Sequence, residues 1–184
     1  MKNILFLMSL WLCVTCGFAQ EKMTPEQFRK LVATAGDTTP LVPQLARIPL
    51  WTNATVDIVL TYTSGKVFKE ETPLTAKTIG GRYIVYTIQS KYYQQPMSSI
   101  LTFDEKAPAL KNYGLFGEVA TESLIMYDFD KKITASTSTY ADDYKEIGLG
   151  SYSTSESSDR TLVYKAGVLI MTRESTCHPV TSNK

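Results

Sequence analysis

From Thr55 to Ser175 the chain is a succession of short segments in which apolar and polar residues alternate, each closed by a turn signal. An alternation of period two is the mark of a strand with one face covered. In Thr55–Thr63, Val56, Ile58, Leu60 and Tyr62 share one face. Ser64-Gly65-Lys66 turns the chain into Val67–Lys77, where Pro73 suits an edge, a bulge or a barrel rim. Gly80-Gly81 reverses it again before Tyr83–Tyr93, a long aromatic and β-branched segment with bulk on both faces. Ser98–Phe103, Leu110–Phe116, Ser123–Phe129 and Ile133–Tyr140 follow. A polar loop over Ala141–Gly150 then leads to Tyr152–Glu156, Arg160–Tyr164 and Val168–Ser175. This makes about nine or ten strands at short, regular spacing, with no helical period between them, which excludes a parallel β-α-β architecture. Consecutive hairpins with short links give an antiparallel up-and-down meander. A meander of about 8–10 strands removes its unpaired edges by closing into a barrel. The expected fold class is therefore all-β, with one barrel domain over 54–177.

The flanking sequence is different. Lys2, the apolar run Ile4–Leu12 and the small residues Gly17 and Ala19 form a secretory signal over 1–19 with cleavage before Gln20. The run is too short for a permanent membrane span, and the expected location is secreted or periplasmic. A lipoprotein reading, with Cys16 as the lipidated first residue, fits Cys13-Val14-Thr15 less well. Cleavage removes Cys13 and Cys16 and leaves Cys177, so no internal disulfide is expected and the fold must rest on an ordinary core. It also removes Lys2 from 19 basic residues against 18 acidic ones, giving an even, interleaved balance. That argues against nucleic acid, whose binders carry a basic stripe.

Residues 20–53 hold a helix and a connector. Thr24-Pro25-Glu26-Gln27 combines an N-cap, a proline at the first helical position and a capping-box glutamine, and Phe28, Leu31 and Val32 supply one apolar stripe. Pro40, Pro43 and Pro49 keep 37–53 irregular, while Leu41, Val42, Leu45, Ile48, Leu50 and Trp51 make it apolar. Such a connector either packs on the core or forms a flap over a ligand mouth. Residues 178–184 are a tail.

The turn Gly80-Gly81-Arg82-Tyr83, followed by a hairpin ending in Thr102-Phe103-Asp104, resembles an uncharacterised bacterial family, domain of unknown function 1579. The resemblance covers roughly residues 55–175 and implies a lipocalin-like barrel. It carries over no catalytic or binding residues. A tryptophan of the family's fifth strand is absent here, with Tyr113 or Phe116 the nearest bulky residues, and the segment 23–53 lies outside the pattern.

Little in the chain resembles catalytic equipment. His178 is the single histidine, beside Cys177, and adjacent residues of an extended chain point apart. A zinc site lacks ligands, no Gly-x-Ser-x-Gly elbow occurs, and no cofactor or metal is expected. Asp128 and Asp130 suit a hairpin turn better than a cation, and Asp142, Asp143 and Glu146 form a second local cluster. The candidate ligand-binding residues are Tyr83, Tyr86, Tyr113 and Tyr127, whose rings suit a pocket wall, with Arg82 and Arg173 as anchors for an anionic head group inside the barrel. Two function classes are open. One is a non-enzymatic barrel holding a small apolar or amphipathic molecule. The other is an interaction module, docking a second copy or another envelope protein through 41–51 or a sheet face.

Overall fold

A computed structural model describes residues 22–180 apart from 93, 104–109, 117–118, 141–142 and 154. The signal segment 1–19 with Cys16 therefore lies outside the described residues, as do Tyr93, Asp104 and Asp142.

Ten antiparallel strands follow one another around a closed barrel: β1 (Asn53–Tyr62), β2 (Val67–Ile79), β3 (Tyr83–Ser90), β4 (Gln95–Phe103), β5 (Leu110–Phe116), β6 (Val119–Asp128), β7 (Ile133–Thr139), β8 (Tyr144–Tyr152), β9 (Ser157–Lys165) and β10 (Val168–Pro179). Each strand pairs with its neighbours in sequence. Closure comes from β1 against β10, in register from Ala54↔Pro179 to Tyr62↔Met171. That single long-range pairing leaves no free edge. β10 runs two residues beyond the barrel boundary expected at 177, and its last residues pair with the first of β1.

One expectation is corrected. The segment read as a polar loop, 141–150, holds most of β8, and of the strand expected at 152–156 only Tyr152 is in a strand among the described residues; beyond it the Ser153 hydroxyl accepts from the amides of Ser155 and Glu156. The reason is an inverted alternation. Glu146, Gly148 and Gly150 face the interior while Ile147 and Leu149 face outward, Leu149 with 65% of its surface exposed. Hydropathy assigns such a strand to the wrong side, and its two glycines look like a breaker.

Among the described residues, two helices pack on the barrel. In α1 (Pro25–Ala33) the Thr24 hydroxyl accepts from the Gln27 amide at 3.2 Å and the Gln27 side chain accepts from the Thr24 amide at 2.7 Å, the reciprocal cap expected from sequence. Its buried Phe28 lies on the outer face of the sheet with Val85, Ile100 and Tyr113. This explains why β3 carries bulk on both faces: Ile84, Tyr86 and Ile88 turn inward, while Tyr83 and Val85 turn toward the helix. Lys77 fastens the far end of α1, donating to the carbonyls of Val32 and Thr34 at 2.5 and 2.6 Å.

The connector after α1 is tied to the β2–β3 turn. The Asp37 carboxylate accepts from the Gly80 amide at 2.7 Å and from the Thr39 amide at 2.8 Å, and these bonds hold its pKa below the ordinary carboxylate value. Val42 N–H donates to the Gly81 carbonyl at 2.9 Å. From that anchor the chain enters α2 (Pro43–Ala46), one turn that inserts Leu45, fully buried, and Ile48 among Ile84, Leu101 and Leu110. The apolar 41–51 segment thus plugs one end of the barrel.

Candidate functional site

Every inward position follows from strand parity, and the inward side chains fall into two halves around the circumference. On β1–β4 they are mostly aliphatic, Val56, Ile58, Leu60, Leu74, Ile88 and Leu101, with Glu70, Tyr86 and Ser99 between them. On β6–β10 many are short and polar, Ser123, Ser136, Ser138, Thr161 and Ser175, with Gly148 among them and the larger Ile125, Tyr127 and Arg173 beside them. Large side chains fill space and small ones leave it. Between the two walls lies a cavity of about 530 Å³, closed toward the plug by Ile48, Pro49 and Trp51.

The polar wall carries a connected network built from three adjacent strands. Arg173 Nη2 lies 3.5 Å from Glu146 Oε2 and donates to Thr161 Oγ1 at 3.3 Å. The Thr161 hydroxyl donates to Asp159 Oδ2 at 2.9 Å, and Ser175 donates to Asp159 Oδ1 at 3.3 Å. Tyr140 donates to Glu146 at 3.2 Å, and its own pKa is raised, first by burial and then by that carboxylate. The register explains the assembly, since Thr161 stands opposite both Gly148 and Arg173, and Asp159 opposite both Gly150 and Ser175. At the end away from the plug, buried Glu70 accepts from the Ser90 hydroxyl and the Lys91 amide, both at 2.7 Å, and from the Tyr92 amide at 3.3 Å. It fixes the β3–β4 turn and lines the same cavity.

Aromatic rings gather at the plug end. Tyr127 stacks on Phe129 at 5.5 Å and meets Tyr152 edge-on at 5.7 Å, while the Arg47 guanidinium lies 3.9 Å over the Phe129 ring. Burial pushes the phenols of Tyr86 and Tyr127 well above their ordinary value, so both are neutral donors at physiological pH. The Tyr152 hydroxyl oxygen is buried and has no hydrogen-bond partner among the described residues. Cys177 faces inward beside Ser157, its thiol pushed up to about 11 by burial, whereas His178 stands at the opposite parity. The described residues contain no group of three His, Cys, Asp or Glu placed to hold a metal ion. Asp128 caps its own turn, accepting from the amides of Asp130 and Lys131 at 3.2 and 3.0 Å.

The six residues singled out from sequence divide evenly. Tyr86, Tyr127 and Arg173 line the interior cavity. Arg82, Tyr83 and Tyr113 line a second hollow of about 780 Å³ on the outer surface, between α1, α2 and β3–β5. Arg82 therefore does not enter the barrel, contrary to its expected place as an interior anchor: it follows Gly81 at the turn and is exposed. Sequence reasoning missed Glu70, Asp159 and Tyr152. Parity along 157–163 would have placed Asp159 inward, had the strand been started at Ser157 rather than Arg160. No family model matches the chain and no curated protein matches it, so the functional reading rests on this geometry.

Proposed function

We propose that the chain is an exported, non-enzymatic carrier that holds one small amphipathic molecule inside the barrel. The observation behind it is the two-sided cavity of about 530 Å³, aliphatic on one wall and hydroxyl-bearing on the other. Its size is in the range of small-molecule sites, about 300–1,000 Å³. An apolar core needs no such polar wall. On this reading the chain is a relative of the lipocalin-like family that its Gly80–Tyr83 turn resembles.

The test is native mass spectrometry of the protein purified from its own source, followed by thermal melts with apolar and amphipathic probes. A retained small molecule is expected. A probe at about a hundredfold over its Kd should raise Tm by roughly 5 °C or more. Ser136→Trp, which fills the cavity, should abolish the shift. A barrel that leaves its source empty and melts at one temperature with every probe would end this reading.

A second reading, association with another copy, draws on the outer face of β6–β8. There Leu124, Met126, Ile133 and Leu149 are 45%, 61%, 44% and 65% exposed on the adjacent strands β6–β8. The register sets Met126, Ala135 and Leu149 in one row. Contiguous apolar surface of this kind marks contact faces. Sedimentation should then show concentration-dependent dimers that Leu149→Lys disperses, and a monomer at every concentration would refute it.

A further inference from the structure

We infer that the ligand docks through an uncharged carbonyl oxygen, that of a ketone, ester or amide, where Tyr86 and Tyr127 present their phenol hydroxyls to the cavity. This inference rests on the carrier reading and narrows it to one kind of head group.

Open donors are the first ground. Tyr86 on β3 and Tyr127 on β6 reach the cavity from separate parts of the wall, and both line it. Tyr127 and Cys177 lie close enough to act on the Tyr86 phenol, which places the two rings in one part of the interior. Both tyrosines pack against the cluster around Leu45 and Ile48, so that part is the plug end. Neither hydroxyl has a hydrogen-bond partner among the described residues. Among those residues the Tyr152 hydroxyl is the one sealed side-chain polar atom left without a partner, so the oxygens of Tyr86 and Tyr127 reach open cavity space. Across the sheet, the short side chains of Ala76 and Ser99 flank Tyr86 and leave its ring standing clear. Burial keeps both phenols protonated, so each offers an O–H to whatever acceptor enters.

Charge is the second ground. The charged residues lining the cavity, among those described, are Glu70, Asp159 and Arg173, and Glu146 stands 3.5 Å from the guanidinium. Three carboxylates against one guanidinium repel an anionic head group, which is why Arg173 does not anchor one. An ammonium group has three donors and no acceptor, so it would leave both phenol O–H groups unmet. A carbonyl oxygen accepts from one or both and brings no charge into the interior. The tail then runs away from the plug. One inward step beyond Tyr86 and Ser99, Ile88 and Met97 stand opposite each other and line the cavity with Leu60.

The experiment is isothermal titration of the purified protein with methyl octanoate, octanoate and octylamine near neutral pH, joined to isotope-edited infrared spectroscopy of the bound ester. Methyl octanoate should bind about tenfold or more tightly than either charged analogue. Its carbonyl stretch should lie below the value in an alkane solvent, because an O–H donor weakens the C=O bond. Tyr86→Phe combined with Tyr127→Phe should return the stretch to the alkane value and weaken the ester about two- to tenfold for each bond lost. Tyr83→Phe, on the outer surface, should change neither. Octanoate or octylamine binding as tightly as the ester would overturn the carbonyl site and leave the carrier reading standing. So would a shift that survives in the double variant. Should that variant fail to fold, the wild-type spectrum decides alone, and an unshifted carbonyl refutes the site. No binding of any of the three molecules would remove both readings.

Discussion

Leu45→Ala is expected to lower stability by about 2–5 kcal/mol, the usual cost of emptying a buried leucine site. Leu45 has no exposed surface and packs among Ile48, Ile84, Leu101 and Leu110. The helix that carries it has four residues and no side-chain cap, so it has no stability of its own. Its order comes from the barrel end it enters. Some of the loss will appear as local release of the plug, because the barrel closes through β1 and β10 without it. Two measurements separate the contributions. Urea denaturation reads the global loss, and hydrogen exchange at the amides of Val42, Ala46 and Ile48 reads the local one, each being bonded within the plug or to Gly81. Arg47→Ala is the control: its guanidinium rests on the Phe129 ring at 3.9 Å but is exposed, and its loss should cost about 1 kcal/mol or less. Unchanged stability together with unchanged exchange in Leu45→Ala would show that the plug is not seated in the barrel end.

Gly81→Ala carries the second large effect. Gly81 has φ +67°, a conformation that costs a residue with a Cβ about 1–2 kcal/mol. The added carbon would also lie 2.3 Å from the Pro40 carbonyl oxygen, a backbone atom that cannot rotate away. The connector must therefore shift, and the bond from Val42 N–H to the Gly81 carbonyl goes with it. The expected total is about 2–5 kcal/mol. Gly80 isolates the steric part, since it too has positive φ, at +56°, but nothing lies within 4 Å of its added Cβ. Gly80→Ala should then lose only the conformational part. Equal midpoints in urea for the two variants would refute the close approach. Because both routes unseat the same plug, Gly81→Ala and Leu45→Ala should be less than additive when combined.

The interior network shows why sequence reading stopped where it did. The members of the Glu146–Arg173–Thr161–Asp159 chain are up to 27 positions apart, on three adjacent strands, and no local pattern links them. Their strands are also those where alternation is weakest. Ile133–Thr139 offers Ala, Ser and Thr, and Tyr144–Tyr152 carries its apolar residues outward. Tyr86 and Tyr113 illustrate the same limit from the other side. Both are strand tyrosines with bulky neighbours, yet one lines the cavity and the other is buried under Phe28 of α1. Which face is interior depends on where the barrel closes and where the helix lands.

What the amino-acid sequence determined alone is the local grammar: period-two segments, glycine and Asp-Lys turns, the Thr24–Gln27 cap and the order of the hairpins. Those features arise from contacts between residues a few positions apart, so composition and spacing suffice to read them. The tertiary structure alone decided the register in which β1 meets β10, that Leu45 enters the barrel mouth, and that Asp159, Arg173 and Tyr152 share one hollow. These depend on pairings across up to 125 positions, where burial and register, rather than local propensity, select the partner.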